Sequence, residues 1–388
     1  NGVLFARRST LDPKSHQGPM RLVIVNDDMP FLVDSVAALM AERGIAIHRL
    51  LHPILAMQRD GSGTLKQVAA ANIAELNRES LIYMEIDWID PAALPLLTQE
   101  IQHVLGAVRE AVEAYPLLQE ALRSSARMLK SDEAAELLAW FLDSRMTLLA
   151  YARIDRAGAV EASLGLNSGA EPWLSAASCR SALEWFEAGH TAPLLLKAER
   201  ISPVHRRVPF DLIVVPVMRG DSISALSVHA GLWSSDALAT RPDKVPLLRQ
   251  QLRILADEFG FDPFTHAGKA LVHAIRRLPH DLLTGFQPQE LRSVALTAMS
   301  LVDRPRSKTV LVRETLGGHL FAFVWLNRFD LTTNRRAAIG QLIADEARGK
   351  VVTWSVDIGD GDLALVRYII SLVGAGRVPA AAAIDDRV

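Results

Sequence analysis

Cysteine is almost missing from this 388-residue chain, in which Cys179 stands alone. A single thiol excludes an internal disulfide framework and suits the reducing cytoplasm. An excess of one charge is missing too: 42 Lys and Arg against 44 Asp and Glu leave a formal net charge of −2. That balance gives no electrostatic case for nucleic acid or an anionic membrane as a partner. No apolar run approaches the roughly 18 residues of a membrane-spanning helix. Aromatic residues are only 6% of the chain, and its seven tryptophans follow no common period, which suits core or contact anchors. The first residue is Asn1, and the opening residues resemble neither a signal nor a transit peptide, so the chain is expected to be part of something longer.

Catalytic signatures are lacking as well. A nucleotide-dependent oxidoreductase needs a G-x-G-x-x-G turn between a strand and a helix, because backbone must approach the pyrophosphate closely. None is present, and neither is a G-x-x-x-x-G-K-[ST] loop. Gly61-Ser62-Gly63 and Gly359-Asp360-Gly361 read as hairpin turns without a following helix. No catalytic, cofactor-binding or metal-ligating residue is therefore assigned. His48 and His52 have helical metal-ligand spacing, but on the strand expected here they lie about 13 Å apart at roughly 3.3 Å per residue.

What is present is an ordinary globular mixture, with 49% hydrophobic and 22% charged residues, organised around residues 21–59. Leu22 to Val25 reads as a buried strand that Asn26-Asp27-Asp28 ends and caps. Leu32, Val36, Leu39 and Met40 then recur at helical spacing, and Gly44 follows where a helix C-terminus favours glycine. From Ile45 the period changes to two, with Ile47, Leu51, Leu55 and Met57 on one face. Further on, Ile82, Met84, Ile86 and Trp88 alternate inward. Asp90 and Pro91 open a long helix with a stripe through Leu97, Ile101, Val104 and Val108. The order β-α-β-β-α is that of a ferredoxin-like layer.

The rest of the chain reads as more of the same. Expected segments are an arm at 1–19, a first α+β domain at 20–115, a helical linker at 116–144 and a second α+β domain at 145–260. A helical connector at 261–304, a third α+β domain at 305–374 and a frayed tail at 375–388 complete the series. The fold class is thus α+β, two to three ferredoxin-like units in tandem joined by helices.

Two clusters invite a chemical reading. Asn26, Asp27 and Asp28 lie where a strand meets a helix, whose free N–H groups can receive a carboxylate while the Asp side chains receive an ammonium. Together they suit a free amino acid; the plain alternative is that Asp28 caps the helix and Asp27 is solvated. His205, Arg206 and Arg207 form a basic group before a strand, able to grip an anion or to be a solvated loop.

The block NDDMPFLVDSV, followed by RGIAIHRLLHPIL and ESLIYMEID, resembles the N-terminal region of the large bacterial NAD-dependent glutamate dehydrogenases. The resemblance continues at SPVHRRVPFDLIVV, HAGLWSS, GFDPFTHAGKALVHAIRRLPHDLL and NRFDLTTNRRAAI, and so covers nearly the whole chain. It implies regulatory ACT-type βαββαβ modules, and a full enzyme that uses NAD through a catalytic domain lying elsewhere. Its partners would be that domain, further copies of itself in a homo-oligomer, and an amino-acid effector. ACT modules place effectors at the turn after the first strand, which carries the role onto Asn26, Asp27, Asp28, Met29, Pro30 and Phe31. Where the commoner pattern has Pro-Gly, this chain has Pro30-Phe31. A non-enzymatic tandem-ACT sensor and a purely structural scaffold are the alternatives.

Overall fold

The structure, a computed structural model, describes residues 2–7, 19–70, 77–166, 172–262, 265–359, 361–372 and 376–387. Two compact units divide the chain: Asn1–Ala114 with Ile201–Val208, and Tyr115–Arg200 with Pro209–Val388.

The first unit runs β1 (Gly2–Arg7), β2 (Met20–Asp27), α1 (Leu32–Glu42), β3 (Ile47–Leu51), β4 (Ile54–Arg59), β5 (Leu65–Ala70) and β6 (Asn77–Ile86). Helix α2 (Leu94–Met128) follows and continues through Pro116 into the second unit. The sheet is antiparallel in the order β1-β2-β6-β4-β5, with β3 also on β6. Its buried face is set by alternation: Leu22, Ile24, Ile82, Met84 and Ile86 are all fully buried, together with Leu32, Val36 and Met40 of α1. Asp90 caps the approach to α2 by accepting from Ala92 N–H at 2.9 Å, across a 3-10 turn at Pro91–Ala93.

Three expectations change here. The alternation from Ile45 to Met57 is not one strand: Pro53 cannot donate to the ladder, so the strand breaks at His52-Pro53 and resumes on the same neighbour. Leu51, expected inward, is exposed. Trp88 lies beyond β6 and is 43% exposed. Residues 3–5, read as strand or loose arm, pair with β2, whereas residues 8–18 lie outside the described residues.

In the second unit α3 (Asp132–Trp140) precedes β7 (Met146–Asp155), β8 (Val160–Gly165), α4 (Ala176–Glu187), β9 (Leu194–Ile201), β10 (Pro209–Arg219) and β11 (Ser222–Trp233). Helices α5 (Ser235–Ala239), α6 (Leu248–Glu258), α7 (His266–Arg276), α8 (His280–Leu283) and α9 (Pro288–Asp303) come next. The chain then adds β12 (Lys308–Arg313), β13 (His319–Asn327), α10 (Thr333–Ala347), β14 (Gly349–Asp357), β15 (Leu363–Leu372) and α11 (Ala381–Asp385).

The last sheet, β12-β13-β15-β14, repeats the path of β1-β2-β6-β4. In both, an edge strand precedes a central strand, a helix crosses over, and the final strand inserts beside the central one. The middle sheet, β8-β7-β11-β10-β9, keeps a five-strand antiparallel core but reaches its helix from the edge strand β8. The chain is thus an α+β protein of ACT-like units joined by helices.

The tail expected to fray does not. Ile384 of α11 is fully buried in the core of the last sheet, and Asp385 holds Lys308 Nζ at 2.5 Å and Thr309 N–H at 2.6 Å. Small residues at 376–383 permit that close approach rather than signalling a linker.

A buried ionic cluster lies inside the second unit. Lys197 Nζ of β9 sits 2.5 Å from Asp211 Oδ1 of β10 and 2.6 Å from Asp281 Oδ2 of α8. Glu314, after β12, accepts from Lys197 N–H at 2.8 Å and meets His319 Nδ1 at 3.0 Å. Burial pushes the Asp211 carboxyl above its ordinary range, and Lys197 only partly offsets this. For Asp281 burial acts the same way, but the Lys197 ammonium and Arg367 outweigh it and the carboxyl lies below its usual range.

Candidate functional site

β2 does not stop at Val25. It runs to Asp27, with Asn26 facing Ser80 and Asp27 facing Glu79 on β6. Asp28 N–H extends the ladder by donating to Arg78 O at 3.0 Å. Of the two carboxylates expected in the turn, one therefore belongs to the strand and the other adjoins it.

Each acidic side chain has a cationic partner. Arg109, from α2, donates to Asp27 Oδ2 at 2.8 Å and to Asn26 Oδ1 at 3.3 Å. Asp28 accepts from Ser80 Oγ at 2.9 Å and pairs with Arg78 at 3.0 Å. His52 Nε2 joins the same Ser80 hydroxyl at 3.0 Å, while His48 pairs with Asp87 at 2.8 Å, so the two histidines take separate partners. Asp27 is the more open of the two, its side chain 60% exposed against 18% for Asp28. Opposite Asp27, Glu79 is gripped by both arms of Arg59 at 2.6 and 2.7 Å. Those hydrogen bonds hold the Glu79 carboxyl below its ordinary range against burial and the nearby Asp27 charge.

Asp28 does not cap α1. The N-cap position is Phe31, at φ 71°, and no side chain caps the helix. The first-turn N–H groups of a helix have no partner within the helix itself. A left-handed backbone suits glycine and is uncommon at a bulky residue. Phe31 thus adopts the conformation that the Pro-Gly of the commoner ACT pattern would take without strain, and its side chain stays beside the turn. Met29 is half-buried and Pro30 exposed.

The second cluster meets Phe31 and helix α1. Residues 201–208 belong to the first unit, and the His205 ring sits 5.3 Å from that of Phe31, tilted by 42°. Ser35, fully buried on α1, donates its hydroxyl to Phe31 O at 2.6 Å and accepts from His205 N–H at 2.8 Å. His205 Nε2 lies 3.7 Å from Asp34, and Arg207 pairs with Glu42 at 3.2 Å. Burial and the adjacent Arg206 charge lower the pKa of His205, with Asp34 pulling the other way. Arg206 is half-buried beside them.

Sequence reading kept these two clusters apart and passed over Ser35, Arg78, Ser80 and Arg109. Only Ser35 carried a usable signal: a hydroxyl on the buried stripe with Leu32, Val36 and Leu39 needs a partner from elsewhere. Among the described residues no group of three or more His, Cys, Asp or Glu could hold a metal ion, and no helix is long and apolar enough to cross a membrane.

Residues 13–101 match the glutamate dehydrogenase ACT1 domain, and residues 245–304 match glutamate dehydrogenase helical motif 1. An NAD-specific glutamate dehydrogenase of Halomonas elongata is 26% identical over 384 residues, which covers 91% of this chain and 24% of the relative. Its namesake from Pseudomonas aeruginosa is also 26% identical, over 386 residues, with 92% and 24% covered. The chain spans about a quarter of the length of these curated relatives. Through an ACT1 domain, a helical motif and relatives that align with nine-tenths of this chain, its likeness is to the ACT-domain region of the NAD-specific glutamate dehydrogenases.

Proposed function

We propose that this chain is the regulatory and assembly region of an NAD-dependent glutamate dehydrogenase, with the β2–α1 turn as the place where a free amino acid acts on it. In the whole enzyme, L-glutamate, NAD and water would give 2-oxoglutarate, ammonium and NADH in the reducing cytoplasm, through a catalytic domain outside this segment. The observation that carries the regulatory reading is the start of α1 at Phe31, whose side chain does not cap the helix, four residues after the 60% exposed Asp27 carboxylate. A carboxylate is favoured at such a helix end and an ammonium beside Asp27.

The glycine pairs of this chain do not support an NAD site in the described residues. Gly61 to Gly63 turn the β4–β5 hairpin and Gly359 follows β14, and neither leads into a helix. The chain alone is accordingly expected to bind no NAD by calorimetry and to form no NADH from glutamate. Copies of the chain are expected to self-associate through uncovered strand edges, which present unpaired N–H and C=O groups, as read by light scattering over a concentration series.

The decisive experiment is a thermal-shift screen of the twenty amino acids at millimolar concentration, with Asp27→Ala as the variant. Hydrogen bonds to charged groups contribute roughly 1.5–3 kcal/mol, so Asp27→Ala should weaken binding by about one to two orders of magnitude. Asp28→Ala is a poorer probe, because Asp28 is only 18% exposed and holds both Ser80 and Arg78, whereas the more open Asp27 holds Arg109 alone among the described cations. No shift with any amino acid, or a shift indifferent to Asp27→Ala, would leave the turn a structural junction only.

A further inference from the structure

Residues 202–208 join β9 to β10, strands that lie almost wholly in the second unit, yet they are part of the first. They form a closed loop. Ser202 N–H donates to Val208 O at 2.9 Å and Val208 N–H to Arg206 O at 3.0 Å. The Ser202 hydroxyl bonds Val204 O at 2.8 Å, and Ser202 and Val204 are fully buried. The loop meets α1 at its first turn through the Ser35 hydroxyl, the Phe31 ring and the Asp34 carboxylate, and a further two turns along through Glu42.

Both sides of this contact hold a strained residue. Phe31 has φ 71° and His205 φ 67°, and the two rings lie against each other. Left-handed backbone at bulky residues persists where the surroundings over-determine it, and such positions gather at ligand clamps and switches. What the loop offers α1 is an N–H donor and the side chains of His205 and Arg207, set toward two carboxylates. The loop thus holds Phe31, the last residue of the proposed effector turn, and the helical turn that follows it.

We propose that segment 202–207 is a resident, in-chain occupant of the ligand face of the first ACT module, which an amino acid displaces on reaching the turn. The displacement step rests on the amino-acid reading above; the docking does not. The device is a competition: one surface of α1, one internal ligand, one external ligand. An amino acid acts by exchanging places with the loop, so its signal passes directly to the segment that joins β9 and β10.

Arg206 and Arg207 make the test direct, because trypsin cuts after arginine only when the loop leaves α1. Cleavage tracks the open population when opening is fast relative to cutting. In the full 388-residue chain, Ser35→Ala leaves the His205 N–H unpaired and should speed cleavage at Arg206 and Arg207 about tenfold. The surface variant Asp34→Asn/Glu42→Gln removes the Arg207–Glu42 ion pair and the Asp34 charge beside His205, cannot empty the core, and should speed it severalfold. Circular dichroism melts confirm that each variant is folded. An amino acid that raises the melting temperature should also speed the cut in the wild-type chain. Equal cleavage rates in the wild type and both variants overturn the docking. An amino acid that binds and slows the cut overturns the displacement. If no amino acid binds either the wild type or Ser35→Ala, the amino-acid reading and displacement fall together, and the variant rates alone decide the docking.

Discussion

His229 gives the sharpest test of how burial governs this fold. It sits on β11, 1% exposed, with Ser125 Oγ of α2 at 2.8 Å from Nε2 and the Tyr151 ring at 5.0 Å. Burial drives its pKa from 6.5 down to about 3. The folded ring therefore stays neutral through mild acid, while the unfolded ring takes a proton below 6.5. Because the unfolded chain binds more protons, stability rises with pH across this window and falls as pH drops from 6.5 toward 3. Each pH unit is worth about 1.4 kcal/mol once the unfolded ring is fully charged, and pH 5 lies about 1.5 units below the unfolded value, so the loss there is about 2 kcal/mol. His205 and His280 are lowered by burial too and add to the slope, so the wild-type curve alone does not isolate His229. His229→Gln can still reach Ser125 but does not titrate. Urea unfolding of both proteins between pH 8 and 5 should show the variant less stable at pH 8 and the gap narrowing by about 2 kcal/mol on acidification. Parallel curves would refute the assignment of a buried, neutral imidazole.

Three further substitutions test packing and charge in the second unit. Gly340→Ala puts a Cβ 2.7 Å from the buried Tyr368 ring, which is anchored by its hydroxyl to Arg336 O; alanine's helix advantage of about 1 kcal/mol loses to an overpacking cost of about 1–3 kcal/mol, so the melting temperature should fall rather than rise. Lys197→Met strands two buried carboxylates and should cost about 3–5 kcal/mol, with Asp211→Asn in the same chain recovering part of it in urea titrations. Ile384→Ala should cost about 2–5 kcal/mol if α11 is docked as the structure has it, and almost nothing in a thermal melt if the tail frays.

Much of the architecture was legible because periodicity is a local property. The stripe Leu32, Val36, Leu39 and Met40 and the alternation Ile82, Met84 and Ile86 report the period of the backbone that carries them, and both are buried as read. Strand β8 escaped although Val160, Ala162 and Leu164 alternate with Glu161 and Ser163, because the stretch is short and largely exposed and its pattern marks no buried face. The break at Pro53 and the exposure of Leu51 escaped for a different reason. A one-face pattern can continue across a break in hydrogen bonding, and only the partner strand reveals which residues still pair.

The turn after β2 marks where local reading gives way to tertiary contact. Asn-Asp-Asp before a helical stripe has the composition of a cap, and by propensity alone Asp28 should accept from the first-turn N–H groups. It does not, because Ser80 and Arg78 on β6 bind its carboxylate instead, and those partners are fifty or more residues away. With the cap withdrawn, α1 starts from a left-handed Phe31, a conformation that no local rule favours for phenylalanine. Its stability must then come from outside the turn, and the contact that supplies it is His205, itself left-handed and more than 170 positions later in the chain. Phe31 and His205, which looked independent in sequence, are thus the two halves of one strained junction. The replacement of glycine by Phe31 is intelligible only once both halves are in place.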